Sequence, residues 1–146
     1  MKPIHILLVE DNEGDIVLTR DAFEEAKIHT KLSVVRDGEE AIDFLTKQGK
    51  YAAAELPDLL LLDVNLPKKN GHEVLKYVKE QDSIKHIPVI MLTTSCSEKD
   101  INLSYNNYAN CYITKPVAVN DFLQVISTIE NFWVSIVKLP TNKQHR

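Results

Sequence analysis

The sequence predicts an α/β domain built on a five-stranded parallel sheet with helices on both faces, and three observations carry that expectation. Five short apolar runs alternate with stretches of helical periodicity, the pattern that strand–helix–strand units produce. The runs are apolar at consecutive positions instead of alternate ones, as strands covered on both faces require. A length of 146 residues with 44% hydrophobic side chains suits one domain whose core needs no disulfide or structural metal.

The first strand is expected at residues 4–9 (IHILLV), followed by a helix over 13–27. The second strand covers 32–36, and Gly38 precedes a helix over 39–47. The third strand, 59–62 (LLLL), is separated by an Asn70-Gly71 turn from a helix over 72–80. A fourth strand at 89–92 leads to a helix over 98–105, where Ser95 and Glu98 have capping-box spacing. The fifth strand is 111–114, and a long helix runs from 120 to 137. Its apolar residues, among them Phe122, Ile126, Phe132 and Trp133, spread wider than one core-facing stripe. Residues 1–137 are thus expected to form the domain, with 138–146 a polar tail that frays after Leu139-Pro140.

Charge and cysteine content narrow the function. With 21 acidic against 17 basic side chains, the chain lacks the basic excess of a protein that coats nucleic acid. Cys96 and Cys111 form neither a disulfide framework nor a metal spacing, which suits a reducing cytoplasm. The first apolar run is interrupted by His5 and ends in two acids, so neither a signal peptide nor a membrane span is expected.

Four of the five apolar runs end in polar or reactive residues: Glu10-Asp11, Asp63, Thr93 and Lys115. In a parallel sheet these ends share one edge, where ligands bind. The separations of 52, 30 and 22 residues from Asp11 through Asp63 and Thr93 to Lys115 fit units of roughly 30 residues, the last one shortened. Three carboxylates brought to within about 4 Å repel by roughly 1 to 4 kcal/mol per pair in a solvated cleft. Such an oxygen-only cluster calls for a hard cation, Mg²⁺ before caged Ca²⁺. A cation, an ammonium and a hydroxyl around one carboxylate serve phosphoryl transfer, with Asp63 as the attacking group.

The stretches LLVED, LLLLDVNLPKKNGHEVL, PVIMLTTS and CYITKP resemble, in order and spacing, the marks of response-regulator receiver domains. The resemblance implies the strand order 2-1-3-4-5. It implies that Asp63 accepts the phosphoryl group and that Mg²⁺, with Mn²⁺ an alternative, is bound by Asp11, Asp63 and the Asn65 backbone carbonyl. Glu10 would act on the metal through water. Thr93 and Lys115 would hold phosphoryl oxygens, with Thr94 beside them, and Tyr112 falls where the family's switch aromatic stands. Lys115-Pro116 matches its usual cis peptide. In finer detail, KQGKYAAAELPDLLLLD, NLPKKNG, NCYITK and IENFWVSIVKLP are similar to the regulators of cyanobacterial phytochromes and bacteriophytochrome histidine kinases. Two departures stand out: the acidic pair is Glu-Asp, and Thr94 occupies a position where a smaller residue is frequent.

The implied partner is a sensor histidine kinase, in the finer reading a phytochrome, with no enzyme activity beyond the domain's own phosphorylation and dephosphorylation. Signal would leave through the face formed by the fourth helix, fifth strand and fifth helix. A homodimer on that face is expected, with Phe122, Ile126, Phe132 and Trp133 in the contact, because Phe132, Trp133, Ile136 and Val137 left in water would make an unusual exposed patch; the alternative is that the tail folds back over its own sheet. An intermediate carrier, passing the phosphoryl group to a histidine phosphotransferase, is the alternative. A haloacid-dehalogenase-like phosphatase would need an acid where Asn65 stands, and the acidic first turn cannot cradle a flavin phosphate.

Overall fold

A computed structural model of the chain describes residues 3–26, 29–93, 111–115, 117 and 120. The elements follow in order: β1 (Ile4–Val9), α1 (Glu13–Ala26), β2 (Thr30–Val35), α2 (Gly38–Thr46), a 3-10 turn (Gly49–Tyr51), β3 (Leu59–Asp63), α3 (Gly71–Glu80), β4 (Val89–Thr93) and β5 (Cys111–Thr114). The strands form one sheet in the order β2-β1-β3-β4-β5, and every pairing is parallel. This is the order and class expected from the sequence. The helix expected over 98–105 lies outside the described residues, as does all but Asn120 of the one expected over 120–137. No helix among the described residues is long and apolar enough to cross a membrane.

The consecutive apolar residues divide between two cores because successive strand side chains point to opposite faces. Leu7, Val9, Leu60, Leu62, Val89 and Met91 pack with Phe44 of α2 and with Val74, Leu75 and Val78 of α3. Ile6, Leu8, Leu59, Leu61, Ile90 and Leu92 pack on the other face with Ile16 and Phe23 of α1. With both faces covered, the polar residues of the central strands, His5 apart, collect at their C-terminal ends. β2 is an edge strand and only half-buried, so its polar start, Thr30-Lys31, gives no apolar signal. The pairing with β1 nevertheless begins at Ile4 opposite Thr30.

Two helix starts differ from the sequence reading. Asp37, not Gly38, is the N-cap of α2, accepting from the Glu40 N–H at 2.7 Å. Asn70, expected as a turn residue, caps α3 in a reciprocal capping box with Glu73, the two hydrogen bonds measuring 2.9 and 3.0 Å.

His5 is the one buried histidine among the described residues. Its Nδ1–H donates to the Leu56 carbonyl at 3.3 Å, so the neutral ring accepts from the Ser33 hydroxyl at Nε2, 2.8 Å away. Burial lowers its pKa from the ordinary 6.5, outweighing the Leu56 carbonyl, which raises it. The folded chain therefore binds this proton less readily than the unfolded one. The stability linked to His5 is full above about pH 6.5 and is lost as pH falls toward the depressed value. Urea denaturation at pH 7 and pH 5 should show a smaller acid loss in His5→Gln than in the wild type, and equal losses would refute the assignment.

Candidate functional site

Strand register brings the polar ends together. Val9 lies opposite Leu62, Asp63 opposite Leu92 and Thr93 opposite Thr114, so Glu10, Asp63, Thr93 and Lys115 follow one another across the C-terminal edge. Glu10 extends the β1 ladder by one hydrogen bond, N–H to the Val35 carbonyl at 3.0 Å. The chain then turns into α1, where Asn12 Oδ1 accepts from the Asp15 N–H at 2.9 Å. Glu10 Oε2 folds back onto the Asn12 N–H at 3.2 Å.

Asp63 is fixed from both sides. Its Oδ1 accepts from the Asn65 N–H at 3.1 Å, and the following loop closes where the Gly71 N–H meets the Val64 carbonyl at 2.9 Å. Gly71 has no Cβ because one would fall inside the contact distance of the Asp63 carbonyl oxygen and 2.8 Å from Val64 Cα. Gly38 meets the same loop from α2, with the Lys69 carbonyl in the space a Cβ would take. The left-handed turn between them falls on Lys68, at φ 67°.

Lys115 ties the edge together. Its backbone N–H bonds the Thr93 carbonyl at 2.7 Å. Its Nζ donates to Glu10 Oε1 at 2.8 Å, Asp15 Oδ2 at 2.9 Å and Asp63 Oδ2 at 3.2 Å. Glu10, Asp63 and Thr93 are almost wholly buried, whereas Asp11 is exposed. Burial pushes the Glu10 carboxyl up to about 7, Lys115 pulling it down and Asp63 adding to the rise. Burial alone would lower the Lys115 pKa, but its bonds to Glu10 and Asp15 and the charge of Asp63 win and hold it above the ordinary value. Carboxylate oxygens of Glu10, Asp11 and Asp63 lie within 4.8 Å of one another. That donor set of hard oxygens fits Mg²⁺ or Mn²⁺.

The family profile described as "Response regulator receiver domain" matches residues 6–127. The chain belongs to the response-regulator receiver family. Among similar proteins, "Response regulator Rcp1" of Synechocystis sp. is 44% identical over 138 residues, 94% of each chain. The phosphorylated cyanobacterial phytochrome response regulator RcpA has a TM-score of 0.78 and 45% identity, covering 95% of this chain and 99% of its own. The Mn²⁺-bound form of Rcp1 follows at a TM-score of 0.77 and 43% identity, over 94% and 99% of the two chains.

In this receiver domain the structure brings together Glu10, Asp11, Asp63 and Lys115, with Asn65 and Thr93 beside them. Tyr112 lies on β5 opposite Met91, and its side chain is outside the described residues, as are Thr94, Pro116, Phe122, Ile126, Phe132 and Trp133. The sequence reading missed Asp15. It stands on a helix, away from the strand ends, and the available signal was its place three residues after the cap Asn12.

Proposed function

We propose that this receiver domain accepts a phosphoryl group on Asp63 from the phosphohistidine of a sensor kinase, and that the kinase is of the phytochrome type. The observation that carries the reading is the Lys115 ammonium on Asp63 Oδ2, 3.2 Å away, beside a buried acidic cluster at the sheet edge. One Asp63 oxygen attacks phosphorus. The O–P bond forms as the P–N bond breaks, and the departing imidazole keeps the electron pair and takes a proton from water. The product carries one more negative charge than the aspartate did, which Lys115 offsets while the Thr93 hydroxyl donates to a phosphoryl oxygen. Asp11, Asp63 and the Asn65 carbonyl would hold a divalent cation, with Glu10 acting through water, and the cation supplies charge neutralisation on the moving group. The added charge and acceptor oxygens bias the surface around β5, which carries Tyr112. Similarity to regulators of phytochromes over nearly the whole chain supports the choice of kinase.

Acetyl phosphate with Mg²⁺ should attach one base-labile phosphoryl group per chain, and Asp63→Asn should take up none. Equal labelling of the variant would refute the assignment. A phytochrome-type kinase should likewise transfer to the wild type faster than an unrelated histidine kinase does.

A further inference from the structure

α1 and α3 start with the same sequence logic and end up wired differently. In α3 the cap Asn70 and the acid three residues on, Glu73, satisfy each other's backbone N–H groups at 2.9 and 3.0 Å. In α1 the cap is Asn12 and the acid three residues on is Asp15, whose N–H bonds Asn12 Oδ1 at 2.9 Å. The return bond is missing, because the Asn12 N–H is taken by Glu10 Oε2 at 3.2 Å. The Asp15 carboxylate is thereby released from its capping duty and turns to Lys115 Nζ, 2.9 Å away.

An ammonium has three protons, and on Lys115 they serve Glu10, Asp15 and Asp63 at 2.8, 2.9 and 3.2 Å. An incoming phosphoryl oxygen must displace one of them. Glu10 and Asp63 belong to the three-carboxylate cluster with Asp11, and Asp15 does not. Asp15 is thus the one acceptor of the three that lies outside the cluster, and Asp63 is the most distant of the three.

We infer that Asp15 is a positioning residue: it restrains Lys115 in the resting protein, favours cation binding at the acidic cluster and opposes the arriving phosphoryl group. The inference rests on the phosphoryl reading of Asp63. It assigns two effects of opposite sign to one side chain. A unit charge about 5 Å away changes binding by roughly fourfold even in bulk water, and by more where water is partly excluded.

The test is Asp15→Asn, which keeps the shape of the side chain, with Asp15→Glu restoring the charge. Mn²⁺ affinity, read by electron paramagnetic resonance without any phosphoryl donor, should fall at least about fourfold in Asp15→Asn, because the ammonium settles on Asp63. Beryllofluoride affinity at saturating Mg²⁺ should rise by a similar factor, because competition for Lys115 is gone. Asp15→Glu should recover much of both changes. A purely structural role would weaken both ligands together, so parallel losses, or no change in either, would overturn the inference. A wild type that binds Mn²⁺ but takes up neither beryllofluoride nor acetyl phosphate would instead overturn the Asp63 reading. That result is distinguishable, since failure of the Asp15 role alone leaves the wild type binding both.

Discussion

Replacing Lys115 by methionine is expected to slow phosphorylation of Asp63 by acetyl phosphate at least about a hundredfold, the effect of removing one well-placed donor from a developing charge. Methionine keeps much of the stem and removes the ammonium that contacts Glu10, Asp15 and Asp63. Two of those acids are nearly inaccessible, with side chains 1% and 3% exposed. Removing a buried charge partner leaves an uncompensated charge, worth about 3–5 kcal/mol in a fully buried pair. The partly exposed Asp15 places the loss here below that range. Magnesium should restore part of it by taking the ammonium's place among the carboxylates. The variant should therefore melt lower than the wild type in chelator and regain more from Mg²⁺, while its phosphorylation stays slow. A rate within a few-fold of wild type would show that Lys115 does not act on the phosphoryl group.

Gly71→Ala is expected to destabilise the fold by about 3 kcal/mol, the upper end of overpacking changes. The new methyl would meet backbone, the Asp63 carbonyl oxygen and Val64 Cα, not the end of a side chain that could swing aside. Relief requires β3 and α3 to separate where the loop is closed by the Gly71 N–H on the Val64 carbonyl. Because that closure also sets the Asn65 N–H on Asp63 Oδ1, phosphorylation should fall as well, even under conditions where the variant is fully folded. Urea denaturation and acetyl phosphate labelling measure the two effects. A stability loss without a labelling loss would uncouple the loop from the orientation of Asp63.

Most of the fold was legible because the central strands are covered on both faces and so read as unbroken apolar runs. β1 and β5 fall at the expected residues, 4–9 and 111–114. β2 starts earlier than its apolar residues do, since an edge strand takes its length from hydrogen bonding to β1 as much as from burial. The candidate site was legible where chemistry coincides with a strand end, as at Glu10, Asp63, Thr93 and Lys115. It was not legible where a helix supplies the group: Asp15 looks like an ordinary first-turn acid favoured by the helix dipole. The Lys115 Nζ bond to Asp15 Oδ2 at 2.9 Å shows that Asp15 serves Lys115, and the diversion of Glu10 onto the Asn12 N–H leaves it available to do so. Asp37 also follows a strand, but that strand is the sheet edge β2, and the residue caps α2 there.

The half-buried β2 bears on how the protein keeps from aggregating. An open sheet edge offers unpaired backbone groups on which a second chain can build, and natural sheets guard such edges with lysine and other charges. β2 carries Lys31 near its start, paired with Glu55 at 3.3 Å, and Arg36 follows its end, paired with Glu13 at 2.7 Å. An invading strand from an identical chain, laid antiparallel, would set the cation at each end of one strand near that of the other. Among the described residues, β2 is thus an edge that carries a cation at or beside each of its ends, the kind of guard that discourages pairing with a second copy.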